Sequence, residues 1–207
     1  MLQTDRLPRA VIGFRIKSGW ATAILLTGPI EAPVVRDAAV IELSDPTVPG
    51  AKQPYHAGMG VARKQGPALE RLLASIRAYS QRSLAALLNR YVALGHSSSE
   101  AGLVVGSDCD PATITNPHIR VHAAEGRLFR TVVEQALARS GIPSSTFVER
   151  MLLAQAARLL RRSPAQLKEG IARLRPAAAE RWRAEEKVAA LAAWLLLASS
   201  PHGRAVA

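Results

Sequence analysis

Apolar residues along this chain of 207 residues change period several times, and those changes divide it into strands and helices. Near the start they come in short runs bounded by turn residues. RAVIGFRIKSGWATAILLTG (9–28) holds two such runs around Lys17-Ser18-Gly19, which predicts a β-hairpin. APVVRDAAVIELSD (32–45) is β-branched and apolar and predicts a third strand, so the chain opens with an antiparallel meander. Residues 46–66 are rich in Pro and Gly and predict a loop of a length that often serves binding. From Pro67 the spacing becomes helical: Leu69, Leu72, Leu73, Ile76, Leu84, Leu87, Leu88 and Tyr91 recur along one helix that Gly95 ends.

The second half alternates strand and helix. AGLVVGSD (101–108) has a buried-strand pattern closed by Gly106, and DCDPATITNP (108–117) connects it to a helix that runs to about residue 140. A turn at SGIP leads to a fifth strand centred on Thr146 to Val148, and the chain is helical from Met151. Ser163-Pro164 restarts a helix with Ser163 as its N-cap. LRPAAAERWR (174–183) interrupts it, and a last helix spans 184–198. The order is β-β-β-α-β-α-β-α. Strands four and five each follow a helix, which predicts parallel crossovers in a five-stranded mixed α/β sheet. We expect one domain over residues 1–200, with loop 46–66 and helix 67–95 as elaborations and 201–207 as a frayed tail.

Hydrophobic residues at 48% and charged residues at 21% belong to a globular chain, which excludes wholesale disorder. Lys and Arg total 27 against 16 Asp and Glu, a formal charge of +11 that points to a polyanionic partner, nucleic acid first. A genome that favours Arg would give the same excess without one. Cys109 is the only cysteine, so no intramolecular disulfide forms, in keeping with a reducing cytoplasm. MLQTDRLPRAVIGF lacks the apolar core of a secretory signal, and VAALAAWLLLA (188–198) is too short to span a bilayer, so no membrane association is expected.

Several segments in this order resemble the RuvC and YqgF type of Holliday-junction resolvase, which has an RNase H-like fold. VIGFRIKSGWATAIL is similar to the first strand and hairpin of that group, GLVVGS to its fourth strand, FVERMLLAQAARLL to its "DER" segment, and EKVAALAAWLLLAS to its closing helix. The resemblance covers most of the chain and implies a nuclease whose clustered carboxylates hold divalent metal ions and position the attacking water. Here Arg15 stands at the first-strand aspartate, Val148 at the aspartate of "DER" with Glu149 and Arg150 following, and Ala189 at the closing-helix aspartate with Lys187 nearby. Glu186, one turn earlier, would substitute only on a shifted helix. The resemblance therefore implies that the two-metal centre is not retained, and a cation at Arg15 would repel a metal there.

Four further groups carry candidate chemistry. His118, His122 and Glu125 fall on one helical stripe, and the H-x₃-H spacing is that of zinc-binding helices, although the Glu of HExxH is absent and Arg120 stands between the histidines. The same stripe also reads as a polar face toward a cleft or ligand, or as histidines in a structural role, hydrogen-bonded in the core or capping a terminus. Asp108 and Asp110 follow the fourth strand, where open α/β sheets bind ligands, and read either as partners of Glu125 in a relocated acidic site or as an Asx-type turn. Arg clusters in RLLRRSPAQLK and RLRPAAAERWR flank Trp182, a phosphate-and-base grip or a solvated helix face. Tyr55 and His56 lie in the long loop and would reach over the sheet edge. No Walker, dinucleotide or nucleophile-elbow motif occurs.

The expected function is therefore a divergent resolvase-like protein that binds nucleic acid or another anion at the C-terminal edge of the sheet through Arg15, His118, Arg120, His122 and Arg150. Two alternatives stand beside it. One is a nuclease or hydrolase with a relocated site drawn from Asp108, Asp110, His118, His122, Glu125, Glu149 and Glu186, using a divalent metal. The other is a homo-oligomer assembled through the small-residue helix 188–198, a segment that also reads as a buried core helix.

Overall fold

The computed structural model describes residues 9–58, 61–177 and 182–199. The tail expected to fray, 201–207, lies outside the described residues. β1 (Arg9–Lys17) and β2 (Trp20–Thr27) form the predicted hairpin, paired from Val11↔Leu26 to Lys17↔Trp20. Gly19 takes φ 84°, the left-handed conformation that this two-residue turn demands and that glycine adopts without a Cβ penalty. β3 (Val34–Glu42) pairs antiparallel with β2.

Residues 46–66 are not wholly loop: β4 (His56–Gly58) and β5 (Val61–Ala62) make a small separate hairpin. α1 (Pro67–Ala93) follows, and then β6 (Ser97–Val105), parallel to β1. β6 begins four residues before the apolar run. Its polar start SSSE pairs with β1 alone, because pairing with β7 (Ser144–Val148) begins only at Ala101↔Ser144. A short 3₁₀ turn (Pro111–Thr113) leads to α2 (Pro117–Arg139). After β7 the chain enters α3 (Glu149–Leu160) without a break, two residues earlier than the periodicity predicted. α4 (Pro164–Arg173) and α5 (Ala184–Ser199) are the last elements of the described residues.

The sheet order is β3-β2-β1-β6-β7, with the meander antiparallel and β1, β6 and β7 parallel, an RNase H-like arrangement. Alternation along β1 splits the core in two. Ala10, Ile12, Phe14 and Ile16 pack with Ile76, Leu84 and Tyr91 of α1 and Phe129 and Val133 of α2. Val11 packs on the other face with Leu152 of α3, Leu167 of α4 and Trp194 of α5. Each large side chain so enclosed stabilises the fold by about 1.5–3 kcal/mol.

α5 lies against the sheet because both surfaces are small. Ala189, Ala190, Ala192 and Ala193 are fully buried, and Gly13 of β1 has no Cβ to hold Ala189 away. Trp194 donates its indole N–H to the Ile30 carbonyl at 2.8 Å. The apolar residues 189–196 of α5 are thus enclosed in the molecule, so this helix takes the core packing role and does not offer them to a second copy.

α4 carries the expected N-cap. Ser163 Oγ accepts from the Gln166 amide at 3.2 Å, and the Gln166 side chain accepts from the Ser163 amide at 2.8 Å. Ser163→Ala should cost about 1 kcal/mol. In a chain of this size that lowers Tm by about 2–4 °C, readable by calorimetry.

Candidate functional site

Two groups of functional side chains form, on opposite faces of the sheet. The first sits at the C-terminal ends of the parallel strands. Arg15 follows Val11 and Gly13 on the face of β1 toward α5, and Lys17, next in that series, pairs with Glu185 of α5 at 3.7 Å. The Arg15 side chain is only 6% exposed. It donates to its neighbour's carbonyl, Ile16 O, at 2.7 Å, lies 3.4 Å from Val104 O, and pairs with the Glu149 carboxylate. Glu149 is the first residue of α3, where a carboxylate also meets the positive end of the helix dipole. Arg150 beside it is exposed.

A cleft of about 350 Å³ opens next to this pair, with Glu149, Leu152, Leu153, Ile171, Val188 and Leu191 among its lining and Lys168 and Lys187 at its charged positions. Lys187 is the residue noted beside the closing-helix position. Lys168 escaped the sequence reading, because nothing local marks one lysine of α4 as facing α3 and α5. Glu186 is not directed to the pair: its carboxylate accepts from the Arg183 amide at 2.8 Å and serves the start of α5. Trp182 packs partly buried on the second core and donates to Ile171 O at 3.0 Å, so its indole is engaged within the fold.

The second group is built at the start of α2. Asn116 caps the helix, its side chain accepting from the amides of His118 and Ile119 at 3.0 and 3.2 Å. Arg120 folds back on the preceding loop and donates to Ile114 O at 2.7 Å and Thr115 O at 3.2 Å. Asp110 caps the 3₁₀ turn through the Ala112 amide and pairs with Arg127 at 3.0 Å, while Asp108 pairs with Arg130. These two carboxylates hold the loop to α2, and each has an arginine as partner.

The stripe His118, His122 and Glu125 divides by depth. Glu125 is fully buried, while His118 and His122 are exposed. The third member at the surface is His56 from β4. One ring nitrogen of each of His56, His118 and His122 lies within 4.8 Å of the others. The Nε2 atoms of His118 and His122 are 3.2 Å apart, and His56 packs tilted on His122 with ring centroids 4.7 Å apart. Beneath them Glu125 Oε1 holds His56 Nδ1 at 2.8 Å, and its other oxygen lies 3.9 Å from His122 Nδ1 without a hydrogen-bond partner. Burial pushes the Glu125 carboxyl above the usual carboxylate range, and the hydrogen bond from His56 opposes that shift. Arg63 donates to the His56 carbonyl at 3.1 Å and fixes the hairpin that presents it.

Arg15, Glu149 and Arg150 are therefore not brought together with His118, His122 and Glu125. α2 packs on the face of β1 that carries Phe14 and Ile16, opposite the face that carries Arg15. No helix among the described residues is long and apolar enough to cross a membrane.

No family model matches the chain, and no curated protein matches its sequence. Its fold does match solved structures. Thermus thermophilus RuvC is similar with a TM-score of 0.50 and 12% identity, over 90% of this chain and 92% of that one. The same protein in complex with a Holliday junction substrate gives 0.50 and 11% over 90% and 91%. The yeast mitochondrial Holliday junction resolvase gives 0.51 and 10% over 94% and 80%. At these identities the likeness is one of fold, and the fold is RNase H-like.

Proposed function

We propose that this protein binds nucleic acid at the C-terminal edge of its sheet and does so without the two-metal centre of the nucleases it resembles. The observation that carries this reading is the buried guanidinium of Arg15. A two-metal site requires clustered hard oxygen donors. At this edge a cation is held in place by its neighbour's carbonyl and by Glu149, the carboxylate beside it. The residues present do not fit a divalent ion. Lys168 and Lys187 in the adjoining cleft, exposed Arg150 and the charge of +11 suit a phosphate backbone instead. One RuvC structure of the same fold is in complex with a Holliday junction substrate, which makes branched DNA the first ligand to try.

The carboxylates named for a relocated-site enzyme gain little from the geometry. Asp108 and Asp110 each have an arginine partner, Glu186 serves the α5 terminus, and Glu125 lies on the other face.

The test is fluorescence anisotropy with four-way-junction, duplex and single-stranded DNA between 50 and 200 mM salt. Each phosphate neutralised contributes about −0.9 to the slope of log K against log salt on duplex DNA. A K168A/K187A variant should lose about two phosphate contacts, so its slope should be shallower by close to 2 and its low-salt affinity weaker. Absence of binding to all three substrates at low salt sinks the proposal, and Mg²⁺-dependent cleavage by the purified chain sinks its second half.

A further inference from the structure

We infer that His56, His118 and His122 form a binding site for a divalent transition-metal ion of the zinc class, with Glu125 as the buried carboxylate that orients the ligands. The sequence stripe pointed to two of these ligands but put the wrong residue third. The structure draws the third from β4 and moves Glu125 behind the site.

One ligand pair already has the spacing the chemistry needs, and His56 lies within 4.8 Å of both. Imidazole nitrogens bind zinc at about 2.0–2.1 Å, so two of them on a tetrahedral ion stand about 3.3 Å apart. The Nε2 atoms of His118 and His122 are 3.2 Å apart already. One helical turn sets that distance: an i,i+4 pair at the capped start of α2 projects both rings to one side. His56 uses Nδ1 on Glu125, which leaves Nε2 as its free ligand atom. That is the outer-shell arrangement of metal-bound histidines, in which a carboxylate fixes the tautomer and the ring.

Glu125 supplies a second, independent sign. Its Oε2 is fully enclosed, meets no group in hydrogen-bonding geometry although the Tyr55 amide also lies toward the carboxyl, and stands 3.9 Å from His122 Nδ1. A buried carboxylate oxygen left unpaired is costly. A small rotation of His122, with Nε2 on a metal, would bring Nδ1–H onto that oxygen. One carboxylate would then orient two of the three ligands.

The nearby charges also permit a cation. Arg120, on the same turn, is tied to two carbonyls of the preceding loop. The positive end of the α2 dipole opposes a cation, and the Glu125 carboxylate beneath the rings offsets it. Three imidazoles select zinc-class ions over Mg²⁺ or Ca²⁺, which require oxygen donors. His118 and His122 are exposed, so a fourth position faces solvent and is open to water or an anionic group. Such an ion would also clasp the β4–β5 hairpin to α2. A hairpin this short is marginal on its own.

The experiment uses the full untagged chain, stripped with chelator and titrated with ZnCl₂ by calorimetry. We expect one ion per chain and an X-ray absorption spectrum with imidazole nitrogens at about 2.0–2.1 Å. The H118A/H122A variant changes only exposed side chains and should retain the far-UV circular dichroism of the parent. It should lose at least about 100-fold in affinity, and Glu125→Gln should lose about 10–100-fold with stoichiometry unchanged. No zinc binding by the parent, or equal binding by H118A/H122A, overturns the site. Equal affinity in Glu125→Gln overturns the orienting role. MgCl₂ at the same concentration should neither bind nor compete, and competition would overturn the imidazole donor set. None of these readouts depends on nucleic acid.

Discussion

Gly13→Ala should be the most destabilising single methyl that this fold can receive on β1, with an expected loss of at least about 3 kcal/mol. A Cβ on Gly13 would stand 1.8 Å from the Ala189 carbonyl oxygen, 2.8 Å from the Ala189 carbonyl carbon and 2.9 Å from the Ala193 amide nitrogen. All three are backbone atoms of α5, so no side chain can rotate away. The helix must lift off the sheet, and Ala189, Ala190, Ala192 and Ala193 would give up contacts made at full burial. Overpacking in a close-packed core usually costs about 1–3 kcal/mol, and a rigid obstacle of this kind belongs at or beyond the top of that range. Gly102 is the control. Its added Cβ would meet a Phe147 ring carbon at 3.2 Å and the Ala192 methyl at 3.3 Å, contacts that a few tenths of an ångström relieve. Urea denaturation should show Gly13→Ala unfolding at far lower denaturant than Gly102→Ala. Equal midpoints would mean that α5 is not seated on β1 as described.

That close approach was legible in the sequence only in part. The hairpin announced itself through two apolar runs around Ser18-Gly19, and α1 through Pro67, its periodic leucines and Gly95, because each signal is local. The strand–helix order then fixed the parallel crossovers, and the resemblance to resolvases named the fold. Polarity misled at Ser97–Glu100, which form a strand edge with one partner and so need no apolar pattern. Side-chain encounters across the chain were the least legible. His56 meets Glu125 from 69 residues away, and Arg15 meets Glu149 from 134 away. No period or spacing carries such pairs. His118 and His122 could be read because one helix positions both. Their third partner could not, because a loop hairpin delivers it. The same limit explains why the candidate residues looked like one edge: β1 presents Arg15 to one face and Phe14 and Ile16 to the other, and only the packed helices show which candidates follow which face.

The Arg15–Glu149 pair gives the second large effect, and its two halves should respond in opposite ways. The arginine side chain is 6% exposed and the glutamate 41%. Removing Glu149 leaves a guanidinium in a nearly dry site with its countercharge gone. Losing one partner of a fully enclosed pair costs about 3–5 kcal/mol. Water reaches the Glu149 side of this one, so Glu149→Gln should cost about 1–3 kcal/mol. Removing Arg15 leaves a carboxylate that can hydrate, and an apolar side chain of similar length no longer pays the desolvation of a charge. Arg15→Met should therefore change stability by less than about 1 kcal/mol. Binding should move the other way. Glu149→Gln adds a free positive charge at the sheet edge and should tighten DNA at low salt. Arg15→Met removes the central cation and should weaken it, with a shallower salt slope. Urea midpoints and anisotropy on the same two proteins separate these effects. If Arg15→Met proves the less stable variant, the guanidinium is held chiefly by its carbonyl contacts and not by its charge partner. If both variants bind DNA as the parent does, the sheet edge is not where the nucleic acid lies.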